Sequence, residues 1–561
     1  MGAMHTPIRL TSLALATVLL AGCTASDPQP ETPVRGTKTT LPAEPLTVLA
    51  DADPTANALG TSRALFAEAP VVVTAAADDP DAQLLAASAA VALGAPLLLT
   101  GGADGGAAAG VAEEIERLGA DAVLDVGGSE PLGDASDGSG APDVVSVAAS
   151  ASALAPLLPG DPETTPVPAD SSAVAAVADL DRESPALLAA DGGSDDSDGD
   201  ASDADADDLP RTRPAAPLDG GTVVVTDEPA SLASAATARA AGLPVQVLPA
   251  DAPDPRTDPE FAAKLKAAAP ETVLAVGASF ASVPSLGWKI RSTITGTEVP
   301  GGGQTLFPGK RFVALYGAPE APVLGVLGEQ GIPETIARAE STAAPYREFT
   351  DDTVVPMLEV ITTVAAGTAG SDGNYSNELP IDSLRPWVEA AGAAGMYVVL
   401  DLQPGRTDFL TQAKQYQELL ELPYVGLALD PEWRLAPDQV HLKQIGSVSA
   451  AEVNEVGTWL ADLTAEKGLP QKMFVLHQFQ TRMIRDRPTV DTSHPELAFV
   501  IHVDGQGSQP AKQDTWRVLH QNAPAGVAWG WKNFYDEDLP PLTPEQTMTQ
   551  VEPVPELVTY Q

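Results

Sequence analysis

The sequence is short of cysteine, of cations and of aromatic rings, and each shortage excludes something. Cysteine occurs once in 561 residues, as Cys23. One thiol permits no internal disulfide and no thiolate metal site. Lys and Arg number 31 against 77 Asp and Glu, for a formal net charge of −46. Such a field repels phosphate backbones, so no nucleic acid partner is expected. A neutral glycan or a protein suits it better, unless divalent cations bridge it to something anionic. Aromatic residues make up 5 % of the chain and gather in its C-terminal half. Beyond the N-terminus no apolar run is long enough for a transmembrane helix. A chain of 561 residues exceeds one ordinary domain, and two or three are expected.

What is present begins with Arg9 and "LTSLALATVLLAGC", an apolar run too short to span a bilayer comfortably and closed by small residues. Residues 1–22 read as a signal peptide. Leu20-Ala21-Gly22-Cys23 resembles a bacterial lipobox, in which the Cys becomes the first mature residue and carries diacylglycerol on its sulfur. The resemblance implies lipidation at Cys23 and a location on the extracellular face of the cytoplasmic membrane. Two or more acyl chains anchor stably, at about 0.8 kcal/mol per buried CH₂. Residues 23–45 are rich in Pro and Thr and read as a tether.

From residue 46 to about 300 the chain is Ala-rich and alternates strand-like with helix-like runs. "VVVT", "LLLT" and "AVLDVGG" are separated by helical stretches, the grammar of a parallel sheet covered by helices. The pattern returns with "TVVVT", "AGLPVQVLP" and "ETVLAVGAS". Val71 matches Val223, Gly94 matches Gly242 and Val126 matches Val276, at offsets of 152, 148 and 150, so the segment is internally duplicated. The boundaries expected are 46–145 and 220–300, with a degenerate segment 146–219 between them. Within that segment, residues 191–208 are "DGGSDDSDGDASDADADD", nine Asp with no large apolar residue and no Glu to close a calcium loop. They read as a solvated acidic loop. "ANALGTSRALF", "VVVTAAADDPDAQLLAASAAVALGAPLLLT" and "RLGADAVLDVGG" resemble the cell-wall-binding repeat type 2 family of Gram-positive surface proteins. That resemblance implies flavodoxin-like α/β modules and a cell-wall polysaccharide as partner.

After "TGTEVPGGGQTLFPGKRF" the texture changes. "RFVALYG" (311–317), "TVVPMLEVITTVA" (353–365), "MYVVLDL" (396–402), "VGLALD" (425–430), "KMFVLHQF" (472–479), "LAFVIHVDG" (497–505) and "GVAWGWKNF" (526–534) alternate with helical stretches. Seven strands in about 240 residues fit a TIM (β/α)8-like barrel over 306–545, with residues 546–561 as a tail. The eighth strand is not clear; residues 323–327 are one candidate, and a doubly wound open sheet is the competing fold. The segment also resembles barrel-type C-terminal regions of uncharacterised actinobacterial lipoproteins.

In a barrel the functional residues gather at the C-terminal strand ends. Asp430 and Glu432 close the fourth strand, and i, i+2 spacing on a strand turns both to the mouth. The other ends supply Glu359, Asp401, Gln403, His477, Gln478, His502, Asp504, Trp529, Trp531 and Lys532, and Trp433 stands beside Glu432. Paired carboxylates are the apparatus of glycoside hydrolysis. The Asp-x-Glu pair looks like that of chitinase-type and some lysozyme-type barrels, which implies Glu432 as acid and Asp430 as its positioning partner. Glu359, Asp401 and Asp504 complete the candidate catalytic set. Trp433, Trp529 and Trp531 are candidate sugar platforms, and His477, Gln478, His502 and Lys532 candidate substrate contacts. Three readings stay open: a glycoside hydrolase on a cell-envelope polysaccharide, a non-catalytic glycan binder, and a metal-dependent hydrolase using His477, His502, Asp504 and one of the carboxylates. No tight His-x-His or His-Glu-x-x-His spacing marks a metal site, and no cofactor is expected.

Overall fold

The structure is a computed structural model that describes residues 35–101, 106–128, 141–160, 162–191 and 208–561. The signal peptide, Cys23, the first part of the tether and nearly all of the acidic loop lie outside the described residues. Among the described residues no helix is long and apolar enough to cross a membrane.

The C-terminal part is a closed barrel of eight parallel strands. Lys310–Gly317, Thr353–Ala365, Tyr397–Leu402, Val425–Leu429, Lys472–Gln478, Leu497–Val503, Ala528–Asn533 and Leu557–Tyr560 follow one another around it in chain order, and the last pairs with the first. Seven of these are the strands expected from the sequence. The eighth corrects the boundary at residue 545: "LVTY", in the stretch read as a tail, is hydrogen-bonded on both sides. Residues 323–327, the alternative eighth strand, form short 3-10 turns.

Alternation along each strand sorts the side chains into two layers. Phe312, Ala314, Val355, Met357, Tyr397, Val399, Ala428, Met473, Val475 and Val500 fill the barrel interior. Val313, Leu358, Val398, Leu427, Phe474, Phe499 and Trp531 point outward to the helix layer. The floor is closed from below by Val299 and Leu306, which belong to the interior cluster. The barrel therefore begins before residue 306, the start expected from the sequence. Gly301, Gly302 and Gly303, all at positive φ, make a tight turn there. A Cβ on Gly301 would lie 2.7 Å from Val355 Cγ2, so the glycines let the chain fold close under the barrel.

The Ala-rich part contains two four-stranded parallel sheets of corresponding order. One runs Leu97–Thr100, Val71–Ala76, Ala122–Val126, Asp143–Val147. The other runs Val245–Leu248, Gly221–Thr226, Thr272–Val276, Leu46–Leu49. The expected boundaries need correction, because Leu46–Leu49, placed in the first module, completes the second sheet. The segment 146–219 contributes its own parallel pair, Glu163–Val167 with Ala186–Ala190. One continuous apolar core runs from Ala58 to Val276. Helix Pro80–Leu93 shows why: it is buried nearly all round, and its Ala residues let neighbours close in on every side. Asp79 caps its start and Gly94, at φ 63°, its end. The tether is also shorter than expected. Arg35–Gly36 pairs with Thr212–Arg213, and Lys38–Thr39 with Phe66–Glu68.

Candidate active site at the mouth of the barrel

The inward alternation ends, at the C-terminal rim, in a ring of polar side chains. Tyr316, Glu359, Asp401, Asp430, His477, His502, Lys532 and Thr559 each come from a different strand or the residue after it, and all are buried. Gly530 makes room for this crowding. A Cβ there would stand 2.4 Å from His502 Cδ2, so the neighbouring imidazole occupies the space a side chain would fill.

His477 is the hub. Its Nε2 lies 2.8 Å from Glu359 Oε1 and 3.9 Å from Asp401 Oδ1, and its Nδ1 lies 3.1 Å from Asp504 Oδ2. Burial works against a charge on this ring, but Glu359, Asp504 and Asp401 outweigh it and hold the imidazolium well above the usual histidine value. His502 is held well below that value by burial and then by the positive charge of His477. The Nδ1–H of His477 is shared between Asp504 Oδ2 and Nδ1 of His502, each at 3.1 Å, and Nε2 of His502 donates to Thr559 Oγ1 at 2.9 Å.

The acids are strained electrostatically. Burial raises Asp401 to about 6, the pull of His477 being partly cancelled by Glu359. Tyr316 donates its hydroxyl to Asp401 Oδ2 at 2.8 Å, and its own proton is held more tightly by burial and the surrounding acids. The Lys532 amine stands 3.4 Å from the centre of the Tyr316 ring. Three carboxylate oxygens, Glu359 Oε2, Asp401 Oδ1 and Asp504 Oδ1, have no hydrogen-bond partner. Buried oxygens left unpaired are expensive, and they concentrate where function requires them.

Asp430 and Glu432 do not sit on the strand as i, i+2 neighbours. The strand stops at Leu429, and Pro431–Trp433 is a 3-10 turn capped by Asp430, whose Oδ1 accepts the Glu432 backbone N–H at 3.2 Å. The turn separates their fates. Asp430 points into the ring and is buried, which with Asp401, Asp504 and Glu432 raises it well above the usual carboxylate range. Glu432 stays partly exposed on the wall of a cleft of about 420 Å³. Partial burial and then Asp504 push it up to about 7. Trp433 shares that wall, edge-on to His441 at 5.3 Å.

Three expected site residues lie elsewhere. Trp529 and Trp531 face outward, packed around Trp516, with the Trp529 ring stacked 3.5 Å from His520. They alternate with Gly530 and Lys532, and the parity that carries Lys532 inward turns them away. Gln478 is out of phase with His477 in the same way; its Oε1 meets Arg487 at 3.4 Å behind the strand. Gln403 is buried near the ring, accepting from Ala365 N at 2.9 Å. Tyr316 and Thr559 were not foreseen. Tyr316 follows from the inward series Phe312, Ala314, Tyr316, whereas Thr559 lay in the unread strand.

Glu359, His477 and His502 each offer a ligand atom, all within 4.8 Å of one another, so these three could hold a metal ion. No family model and no curated protein matches this chain. Among solved structures it is similar to Cwp6 from Clostridium difficile, at 15 % identity and TM-score 0.33, over 58 % of this chain. The chain spans 64 % of the length of that protein. It is also similar to CcCel6C, a glycoside hydrolase family 6 enzyme from Coprinopsis cinerea, at 12 % identity and TM-score 0.19, over 44 % of this chain and 69 % of that one. Both likenesses are too weak to carry an argument about function.

Proposed function

We propose that this chain is a lipid-anchored surface protein whose barrel hydrolyses a glycosidic bond in a cell-envelope polysaccharide, with Glu432 as general acid. The observation that carries this reading is the state of Glu432: a carboxyl raised to about 7, open to a cleft, with Trp433 beside it. Near neutral pH such a group keeps a proton it can give to a leaving oxygen. Asp504 is the second carboxylate. It accepts one hydrogen bond from His477 and keeps Oδ1 free, and its charge is one cause of the raised Glu432 value. As the glycosidic bond breaks, Glu432 protonates the departing oxygen while Asp504 attacks the anomeric carbon or activates the water that does. Asp430 fixes the turn that aims Glu432, and Trp433 offers an apolar face to a sugar ring.

The N-terminal sheets belong to this reading as the wall-attachment part, and Cys23 as the anchor. Replacing Cys23 by Ala moves the protein from membrane to medium; retention on the membrane refutes the lipid anchor.

Release of reducing ends by the full chain tests the chemistry. Losing a general acid costs about 10²–10⁴-fold in rate, so Glu432→Gln abolishes turnover and leaves binding intact. The wild-type rate falls as pH rises through about 7, where Glu432 loses its proton. Metal-dependent hydrolysis is a second reading, favoured by the convergence of Glu359, His477 and His502. Loss of activity with a chelator, restored by a divalent ion, selects it. Binding with no cleavage under either condition leaves a glycan-binding protein.

A further inference from the structure

We propose that the cleft beside Glu432 contains a subsite for an anionic group carried on the glycan, a carboxylate or a phosphodiester, bound by Lys443 and Arg482. The inference rests on the glycan reading above and adds the charge of the substrate to it.

The argument starts from where the scarce cations go. Arg338 is paired with Glu329 at 2.6 Å, Arg434 with Glu452 at 2.9 Å and Lys512 with Asp538 at 2.7 Å. With 77 acids to 31 bases, such pairing is the easy outcome. Lys443 and Arg482 are among the cations without such a partner, and they are the ones that share a cleft with Glu432. Both line the cleft with Glu432, Trp433 and His441, both are exposed, and neither has a carboxylate partner among the described residues. The one bond of the Arg482 guanidinium runs from Nε to the neutral Gln480 Oε1 at 2.6 Å. That bond orients the group and leaves both terminal nitrogens free, the fork that matches a carboxylate or phosphate.

Lys443 is not on a loose loop. The loop that carries it closes at its base through Gly446 N to Glu432 O at 2.8 Å and Ser447 N to Arg434 O at 3.1 Å. A Cβ on Gly446 would stand 2.4 Å from Glu432 O, so glycine permits this approach. Arg406 donates to Gln439 O at 2.9 Å, and His441 Nε2 meets Tyr375 O at 2.9 Å. The loop is therefore tied to the same turn that aims Glu432. Its tip residue, Leu442, is 88 % exposed at φ 62°, a backbone state that persists only when the surroundings impose it.

Electrostatics then fixes the orientation of the ligand. The ring below Glu432 holds Glu359, Asp401, Asp430 and Asp504 and repels an anion. The two cations that line the cleft are exposed, whereas Glu432 is partly buried. A glycan with one charged sugar would seat its anion on the loop and its uncharged glycosidic oxygen toward Glu432. The acidic field of the remaining surface repels an anion, so only the local pair of cations can hold one here.

The test measures binding and cleavage separately on the full chain, with three probes of equal length: a neutral oligosaccharide, one containing uronic acids, and a glycerol-phosphate polymer. The expected result is that an anionic probe binds best and that added salt weakens it. Lys443→Ala with Arg482→Ala should then cost about tenfold in its affinity, leave the neutral probe unchanged, and be partly rescued by Lys443→Arg. Which anionic probe responds tells carboxylate from phosphodiester. Equal affinity for neutral and anionic probes, no binding of either anionic probe, or full affinity in the double variant overturns the subsite. Anionic binding without reducing ends overturns the hydrolase and keeps the subsite; cleavage of a neutral glycan with no preference for charge does the reverse.

Discussion

Two glutamates, each fully buried, belong to the two halves of the molecule and are treated differently. Glu114 lies among the Ala-rich helices. One oxygen takes Ser62 at 2.6 Å and Arg117 at 2.7 Å, and the other takes Arg117 at 2.8 Å and Arg63 at 3.3 Å. Every oxygen is answered, and the packing around them is Ala, Val and Leu. Glu359 in the barrel has one oxygen on His477 and the other on nothing. Around it stand three more acids and two cations that do not neutralise them. At Glu114 the first half buries a charge as a closed structural device. The second accumulates uncompensated charge at one end of its barrel, against the general tendency of buried charges to pair. That contrast marks the barrel mouth as the candidate site more clearly than any single residue type does.

The comparison is sharpest at the tryptophans, because an aromatic-rich half invites the idea that its rings bind sugar. Trp531 and Trp529 are buried in the outer layer around Trp516. Replacing Trp531 by Ala should lower the unfolding free energy by about 3–5 kcal/mol, the usual cost of deleting a large buried ring. Denaturant titration measures it. Glycan affinity of the folded variant should stay unchanged, and a loss of affinity at unchanged stability would return these rings to the site.

A smaller effect tests whether the halves are separable. Trp288 donates Nε1 to Leu469 O at 2.8 Å, Leu306 N donates to Gln471 Oε1 at 2.9 Å, and Val299 closes the barrel floor. A fragment beginning at Leu306 lacks Val299 and the glycine turn. It should be less stable than one beginning at Thr297 by about 2 kcal/mol, the worth of one buried Val side chain. Equal stability would show that the floor contributes nothing and that the boundary near 305 was right.

Seven barrel strands were legible because each is an apolar run bounded by turn residues and spaced by an amphipathic helix. The eighth was not, since "LVTY" is four residues long and follows "VEPVPE" near the end of the sequence. The recurrence of Glu, His, Asp and Lys at strand ends was also legible, and it led to Glu359, Asp401, His477, His502 and Lys532. What a one-dimensional reading lost was phase. Gln478, Trp529 and Trp531 are one residue away from true inward positions, and a single step reverses the face. The two sheets of corresponding order left a trace in the offsets near 150, but Leu46–Leu49 completing the second sheet is a long-range pairing that no local pattern encodes. Lys443 and Arg482 escaped notice because a loop brings them together across 39 residues.

The smallest expected effect bears on the uncompensated charge itself. Asp401 stands at about 6 in the folded protein against 3.8 for a free side chain. The native state therefore keeps a proton that the unfolded chain releases once pH passes about 4. This makes the fold lose stability as pH rises from about 4 to about 6, after which the contribution is constant. His477 acts in the same direction at higher pH. Its raised folded value gives stability that is fully present below 6.5 and is lost as pH climbs from there through the higher folded value. Asp401→Asn keeps an acceptor for Tyr316 and removes its own share of the first window, where Asp430 and Glu432 still contribute. Unfolding midpoints measured at steps from pH 4 to pH 8 should show the wild type declining through both windows and the variant declining less steeply in the lower one. If the two curves run parallel between pH 4 and 6, Asp401 is already ionised in the folded state, and the ring is better compensated than its geometry indicates. The contrast with Glu114 would then be one of degree.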